Sequence, residues 1–409
     1  PSLPIGEETV RTLIFLLLFL LIPVSSHSET IEKIEIYGLK WTKEKFVRRE
    51  LLLKEGDEFS EEKLKKSIRN LLNTHLFYRI IPEINKKDGK VTVKLKIKER
   101  FPIVPIPKFR IKTDESFRTG VEVRDYNLGG MGHHLFVGYT RWFRNENGER
   151  NGYLYSKFYR VLEDKIDIGA GVNFFESQNN NFVKDGTTIG KYDLKILRTD
   201  FYLTKYLDAE KIHQITAGLR PEFIRYSDWI GDIDEYYLGF SYTIDKTTDM
   251  VYYTKGSLFY VYAEIAQPVL SSVFTGKLIA SYSNSVRRRK VDTITCGVSA
   301  GTKVGYSGNG FILNAGIPGY TSEKVGGKRF LSFNISYRMA VVGKSVFLKP
   351  TIAGGDAFSN KPDDLLLSPG IEIEAFWAKL VDGIIRFRIF KGIGNGSDTQ
   401  TSLKFGFRW

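Results

Sequence analysis

The 409-residue chain contains one cysteine, Cys296, which excludes an intramolecular disulfide framework and any cysteine-based zinc site. Five histidines, two of them adjacent at His133-His134, leave little material for a histidine-rich metal centre. Hydrophobic residues make up 42%, slightly below the globular norm, which argues against a polytopic helical membrane protein. Acidic residues are outnumbered, 47 against 60 lysines and arginines, but the resulting charge of +13 is spread along the whole chain. What is abundant is tyrosine (22), phenylalanine (29) and glycine (38). Aromatics at 14% with modest hydrophobicity point to extended β structure.

The one long apolar run, Leu13 to Ile22, follows Arg11 and precedes Pro23 and Val24. It is too short to span a bilayer comfortably and suits the apolar centre of a signal peptide. Ser26-His27-Ser28 offers small residues where a signal peptidase reads, so residues 1–28 are expected to be removed after Ser28. A retained helical anchor is the alternative. An exported chain seldom meets nucleic acid, so the positive charge is not read as a nucleic-acid interface.

Residues 29–100 read as a small α/β domain. Ile31, Ile34 and Ile36 begin a strand that ends at Gly38. Thr42 is the expected cap of a helix carrying Phe46, Val47 and Leu51-Leu52-Leu53, which Gly56 breaks. Ser60 caps a second helix with Glu61 and Glu62 in its first turn, where the helix dipole favours them. Leu64, Ile68, Leu71 and Leu72 form one apolar stripe along it. Phe77 to Ile84, a turn at Lys87-Asp88-Gly89, and Val91 to Ile97 complete a β-α-α-β-β order.

From about residue 101 to 409 the pattern changes to alternating strands. Ile166, Ile168, Ala170, Val172 and Phe174 share one face, as do Leu238, Phe240, Tyr242 and Ile244. Leu331, Phe333, Ile335, Tyr337 and Met339 repeat the pattern, and so do Ile385, Phe387 and Ile389. An apolar outer surface with a small or polar interior explains both faces, and predicts an antiparallel transmembrane β-barrel. Short connections are expected at Asn127–Gly132, Leu162–Lys165, Asp208–Lys211, Arg287–Lys290, Val342–Ser345 and Val381–Gly383. Longer loops are expected at Glu176–Gly190, Val304–Lys328 and Asp356–Leu367. That asymmetry gives sixteen strands, or fourteen where the strand reading has gaps.

Particular residues carry a family resemblance. In the first domain they are Gly38, Gly56, Leu72, Phe77 and Glu99, and the module resembles a POTRA domain. In the barrel, Glu99-Arg100-Phe101-Pro102 leads to Ile106-Pro107, and a turn follows that includes Asn127, Gly129, Gly130 and Gly132. Asp245, Asp249 and Gly256 precede the ninth strand, and Gly319-Tyr320 lies inside the longest loop. Leu403, Phe405, Phe407 and Trp409 alternate to a final aromatic. Together these resemble the barrel-assembly and bacterial surface-antigen superfamily of outer-membrane proteins. The resemblance implies a barrel in the outer membrane with its POTRA domain in the periplasm. It also implies as partners unfolded outer-membrane or secreted polypeptides, outer-membrane lipids and periplasmic accessory proteins.

No catalytic constellation, metal site or cofactor is expected. Gly343-Lys344-Ser345 lacks the glycine a phosphate loop needs, because Arg338 stands in its place. Gly129-Gly130-Met131-Gly132 has no helix after it to receive a phosphate. Arg287-Arg288-Arg289-Lys290 suits anionic lipid headgroups or a solvated turn. The expected role is polypeptide insertion or translocation. The alternatives are a dedicated secretion pore for one partner, or a passive channel. A lone POTRA domain favours a specialised role, and the lack of a plug helix before Thr30 weakens the dedicated-exporter reading. Pro102, Pro105 and Pro107 cannot donate to a ladder, so a seam between the first strand, around Lys108, and the last, Phe405–Trp409, should be weak; equally, the prolines could form only a linker. The resemblance further implies that the loop around Pro318-Gly319-Tyr320 folds into the lumen. Pro318 stands where the family has arginine, and Ser336 stands where a glutamate precedes Arg338. With both members of the ion pair absent, Tyr320 packing and neutral hydrogen bonds are expected to hold the loop.

Overall fold

The computed structural model describes residues 29–409 apart from 112–116, 144–147, 162–164, 185–186, 228–230, 306–312, 321–325, 359–360, 363–364, 382–383, 395 and 406–409. The expected signal peptide lies outside the described residues. The N-terminal domain follows the order β1 (Thr30–Tyr37), α1 (Glu44–Glu50), α2 (Glu61–Asn73), β2 (Phe77–Lys87), β3 (Lys90–Glu99). β3 is central, parallel to β1 and antiparallel to β2. Val91, Val93, Leu95 and Ile97 point from β3 into a core shared with Phe46, Val47, Leu64, Leu71 and Phe77. Asp88 and Gly89 both take positive φ (52° and 74°), as a two-residue hairpin loop requires.

The helices differ in how they begin. Ser60 accepts from the Lys63 amide at 3.3 Å and caps α2 as its position predicts. α1 starts one residue later than expected, after Lys43, with no side-chain cap. The Thr42 hydroxyl is occupied elsewhere, accepting from Asn127 Nδ2 at 3.0 Å. α1 also stops at Glu50, so Leu51–Leu53 are extended, not helical; Leu51 and Leu53 still reach the core.

Sixteen antiparallel strands close the second domain into a barrel. They are β4 (Ile103–Ile111), β5 (Phe117–Leu128), β6 (His133–Phe143), β7 (Arg150–Val161), β8 (Ile166–Lys184), β9 (Thr187–Tyr206), β10 (His213–Tyr226) and β11 (Ile233–Asp245). After the two-residue β12 (Thr248–Asp249) come β13 (Thr254–Ala266), β14 (Thr275–Arg287) and β15 (Thr293–Gly305). Two-residue pieces β16 (Leu313–Asn314) and β17 (Gly326–Gly327) pair within the long loop. β18 (Arg329–Val342), β19 (Val346–Phe358), β20 (Leu366–Phe376), β21 (Ile384–Lys391) and β22 (Thr399–Phe405) complete the ring, with β22 beside β4.

The alternation seen in the sequence becomes inside and outside. Val121 and Val123, Val172 and Phe174, Leu238 and Phe240, Leu331 and Ile335, and Phe387 and Ile389 face outward. Between them Glu122, Arg124, Glu222, Glu264, Glu372 and Glu374 face inward and are buried. The inward charges meet across neighbouring strands. Arg198 stands opposite Glu222 and donates twice, both at 2.9 Å, while Lys277 stands opposite Glu264 at 3.0 Å.

One expected loop is absent. Glu176–Gly190 is not a loop but the outer half of a continuous hairpin, because β8 runs 19 residues and β9 runs 20. The ladder continues through polar residues, with Asn180 opposite Tyr192. The loop expected at Asp356–Leu367 is likewise shorter, since β19 continues to Phe358 and β20 begins at Leu366.

Candidate functional site

The turns at one end of the barrel and the N-terminal domain are built into each other. Asp125 Oδ1 accepts from the Asn127 amide at 2.8 Å, an aspartate turn that opens the β5–β6 connection. Asn127 then holds the turn from within, accepting the Gly132 amide at 2.8 Å, and reaches outward to Thr42. Gly130 O accepts from the Lys43 amide at 2.8 Å, at the start of α1. Gly129, Gly130 and Gly132 all take positive φ (67°, 72° and 71°). A Cβ on Gly132 would lie 2.3 Å from the Phe46 ring, so the turn admits α1 only with glycine there.

The β11–β13 connection performs the same task for α2. Asp245 accepts from the Thr247 amide at 2.8 Å, and Gly256 (φ 104°) packs where a Cβ would sit 2.2 Å from Lys246 O. Arg69 donates to the carbonyls of Asp245 and Thr247, both at 3.3 Å, and Asn73 Nδ2 reaches Thr247 O at 3.1 Å. Asp249 is the buried centre of this contact. Its carboxylate lies 2.9 Å from His75 Nδ1 and 3.3 Å from Arg100 Nη2, and accepts from the Val251 amide at 2.8 Å.

Two further turns complete the rim contact. Glu50, at the end of α1, is buried with its carboxylate 2.5 Å from Lys211 Nζ and 3.7 Å from Arg160 Nη1. Glu210 pairs with Lys66 at 2.7 Å; Glu210 first, and then Glu62, hold the Lys66 ammonium above its ordinary pKa. Near the chain crossing, Phe101 donates to Lys379 O at 2.8 Å, and its carbonyl accepts from Val381 at 3.3 Å. Val104, Ile106, Tyr126 and Val381 of the barrel join the same apolar core as Leu71, Phe77 and Leu95. A second core of Tyr253, Val291, Phe347, Phe376 and Ile384 packs at the same end of the barrel.

The other predicted residues fall in separate places. Within the first domain, Gly38 and Gly56 both have φ 92°, Phe77 is buried and Leu72 is half-buried. Glu99 closes the domain, accepting the Lys40, Trp41 and Thr42 amides at 2.5, 2.8 and 2.9 Å. Pro318, Ser336 and Arg338 line one lumenal cavity of about 630 Å³, together with Glu372, Glu374 and Arg386. Arg338 Nε donates to Glu374 at 2.5 Å, and Arg386 bridges Glu374 and Glu372 at 3.0 and 3.2 Å. Gly319 (φ 78°) accepts from the Asp398 amide at 2.9 Å, and the Tyr320 hydroxyl sits 2.8 Å from the carbonyls of both Leu367 and Ile393.

Of the seam residues, Phe407 and Trp409 lie outside the described residues. Lys108 is on the first barrel strand, but its side chain enters the lumen and pairs with Glu122, so it does not face the last strand. The seam-facing groups are one residue away. The Tyr126 amide donates to Pro102 O at 3.1 Å, so even-numbered residues of β4 bond to β5. By alternation the main chain of Ile103, Pro105 and Pro107 faces β22, and two of those three residues have no N–H to give.

A family model described as "Surface antigen variable number repeat", the POTRA model, matches residues 29–100. The outer membrane protein assembly factor BamA of Neorickettsia risticii is 27% identical over 53% of the chain, a match that spans 31% of that relative's length. Among solved structures, BamA from Haemophilus ducreyi lacking POTRA domains 1-3 superposes with TM-score 0.54 at 14% identity, covering 92% of this chain and 84% of that one. CdiB from Escherichia coli does so with TM-score 0.64 at 12% identity, covering 93% and 77%. At such identities the likeness is one of fold: a POTRA domain followed by a C-terminal β-barrel.

Proposed function

We propose that this chain, a POTRA domain joined to a C-terminal sixteen-stranded barrel of BamA-like and CdiB-like fold, inserts or translocates polypeptides at the outer membrane. Its POTRA domain then stands in the periplasm, residues 29–100, and the barrel spans the membrane from residue 101. The curated relative's assembly role supports the reading, and so does the outward apolar belt around a charged lumen.

The observation that carries the proposal is the placement of Pro105 and Pro107. Their main-chain positions face the last strand, so the ladder there has fewer donors than a paired strand of the same length. Each missing net hydrogen bond removes about 0.5–1.5 kcal/mol from the seam. The POTRA domain is anchored at Phe101, beside the start of that same strand, so a client on its sheet would be presented to the weakest part of the wall. No step requires a cofactor or a chemical reaction.

A passive channel is a third reading, which an open-pore conductance in planar bilayers would support. Export of one partner is the second reading. Quantitative proteomics of the outer membrane after depletion tests both. Loss of many barrel proteins supports assembly, and loss of one secreted partner supports export. An unchanged outer membrane overturns the proposal.

A further inference from the structure

The POTRA domain contacts the β5–β6, β7–β8, β9–β10, β11–β13 and β20–β21 connections, leaving the β14–β15 and β18–β19 connections on the same rim uncovered. That uncovered sector carries Arg287, Arg288, Arg289 and Lys290 on one turn and Lys344 on the next, all exposed. Among the described residues, none of Arg288, Arg289, Lys290 or Lys344 has a carboxylate partner. Asp292 is nearby but committed, accepting from the Ala340 amide at 2.9 Å and facing the Tyr337 hydroxyl at 3.4 Å. These four cations, with Arg287 beside them donating to the Tyr253 hydroxyl at 3.3 Å, form one exposed positive stretch without a carboxylate partner among the described residues.

Their surroundings indicate what neutralises them. Val286 and Val341, at the ends of β14 and β18, continue the outward apolar faces and are exposed. The cations follow directly where that belt stops. Trp377 is exposed on the next turn, while Arg287 and Lys344 lie over Tyr253 (5.4 Å) and Tyr252 (4.8 Å), rings that belong to the second core at the mouth and not to the outer wall. Cations and aromatic rings bordering an apolar belt occupy the depth of lipid headgroups.

We infer that this sector of the rim, Arg287–Lys290 with Lys344, is a docking surface for anionic phospholipid in the periplasmic leaflet. The inference rests on the membrane-spanning reading of the barrel. The leaflet is chosen over a soluble acidic protein because the cations are continuous with the outward apolar wall. Headgroup phosphates supply the missing negative charge, and the acyl chains cover Val286 and Val341. POTRA contacts hold one side of the rim and lipid holds the other, which fixes the barrel's depth opposite its docked domain.

The test uses the full chain folded into phosphatidylcholine vesicles carrying trace spin-labelled phosphatidylglycerol or spin-labelled phosphatidylcholine. The wild type should select the anionic probe on the order of fivefold, about what one well-placed cation supplies, and added salt should reduce that selection. Arg288→Gln/Arg289→Gln/Lys290→Gln/Lys344→Gln should lose it while keeping heat-modifiable gel mobility, the sign of an intact barrel. Equal selection by both proteins, or none by a folded wild type, overturns the lipid site. A photo-crosslinker at Arg289 that captures a protein in cells instead of phospholipid also overturns it. A chain that fails to fold into either vesicle would instead count against the membrane-barrel reading itself.

Discussion

Phe46 and Gly132 share one space: the ring of the first occupies the volume that a side chain on the second would need. The contact joins the first helix of one domain to the first turn of the other. Gly132→Ala should therefore weaken docking in two ways. The residue must keep φ near 71°, which costs about 1–2 kcal/mol for any L-residue, and the ring must move. Faster proteolysis at the junction between the domains would report the loosened contact, and an unchanged rate would show that the turn adapts.

Asp249 is the other anchor. Asp249→Ala removes the carboxylate shared by His75, Arg100 and the Val251 amide, and Arg100 is itself only 2% exposed. Taking one partner from a buried pair typically costs about 3–5 kcal/mol. Faster proteolysis at the domain junction is expected, with the barrel's own heat-modifiability kept. Asp249→Asn retains an acceptor for Val251 and should fall between the two.

Restoring donors should strengthen the seam. Pro105→Ala and Pro107→Ala each return an N–H on the side facing the last strand, and together should add roughly 1–3 kcal/mol to its closure. The double variant should resist thermal unfolding better and work more slowly in client assembly. Greater stability with unchanged activity would separate function from seam opening.

Pro318→Arg would bring a charge into a cavity whose carboxylates are already engaged: Glu374 by Arg338 and Arg386, Glu372 by Arg386 and Lys349. The single variant should destabilise the barrel, and adding Ser336→Glu, on the same cavity wall, should recover part of the loss. Heat-modifiable mobility of both variants measures this, and equal stability would show that the new arginine finds another partner.

The barrel was legible because a lipid-facing surface imposes a two-residue period, and Val172 or Phe240 could not occupy the other face. That signal ends where lipid ends. Ser177 to Asn181 read as a loop because both faces of a hairpin standing in water can be polar, although the ladder itself continues. Thr42 looked like a helix cap because its chemistry suits one, while its actual partner, Asn127, is 85 residues away. The whole domain junction was hidden for that reason. Lys43, Arg69 and Asn73 bind carbonyls of the barrel turns, and carbonyls leave no trace in a sequence. The glycines and aspartates of those turns were visible, but not what they receive.

The β8–β9 hairpin has a consequence for how the molecule meets its outside world. A strand of 20 residues is about 66 Å long, and tilted by about 40° it rises about 50 Å, roughly twice the apolar band of an outer-membrane barrel. In the proposed orientation about half of it stands clear of the membrane as a two-stranded mast. Its shape is fixed by main-chain pairing, so its polar side chains are free to change, and the molecule can alter its outward appearance without altering its architecture.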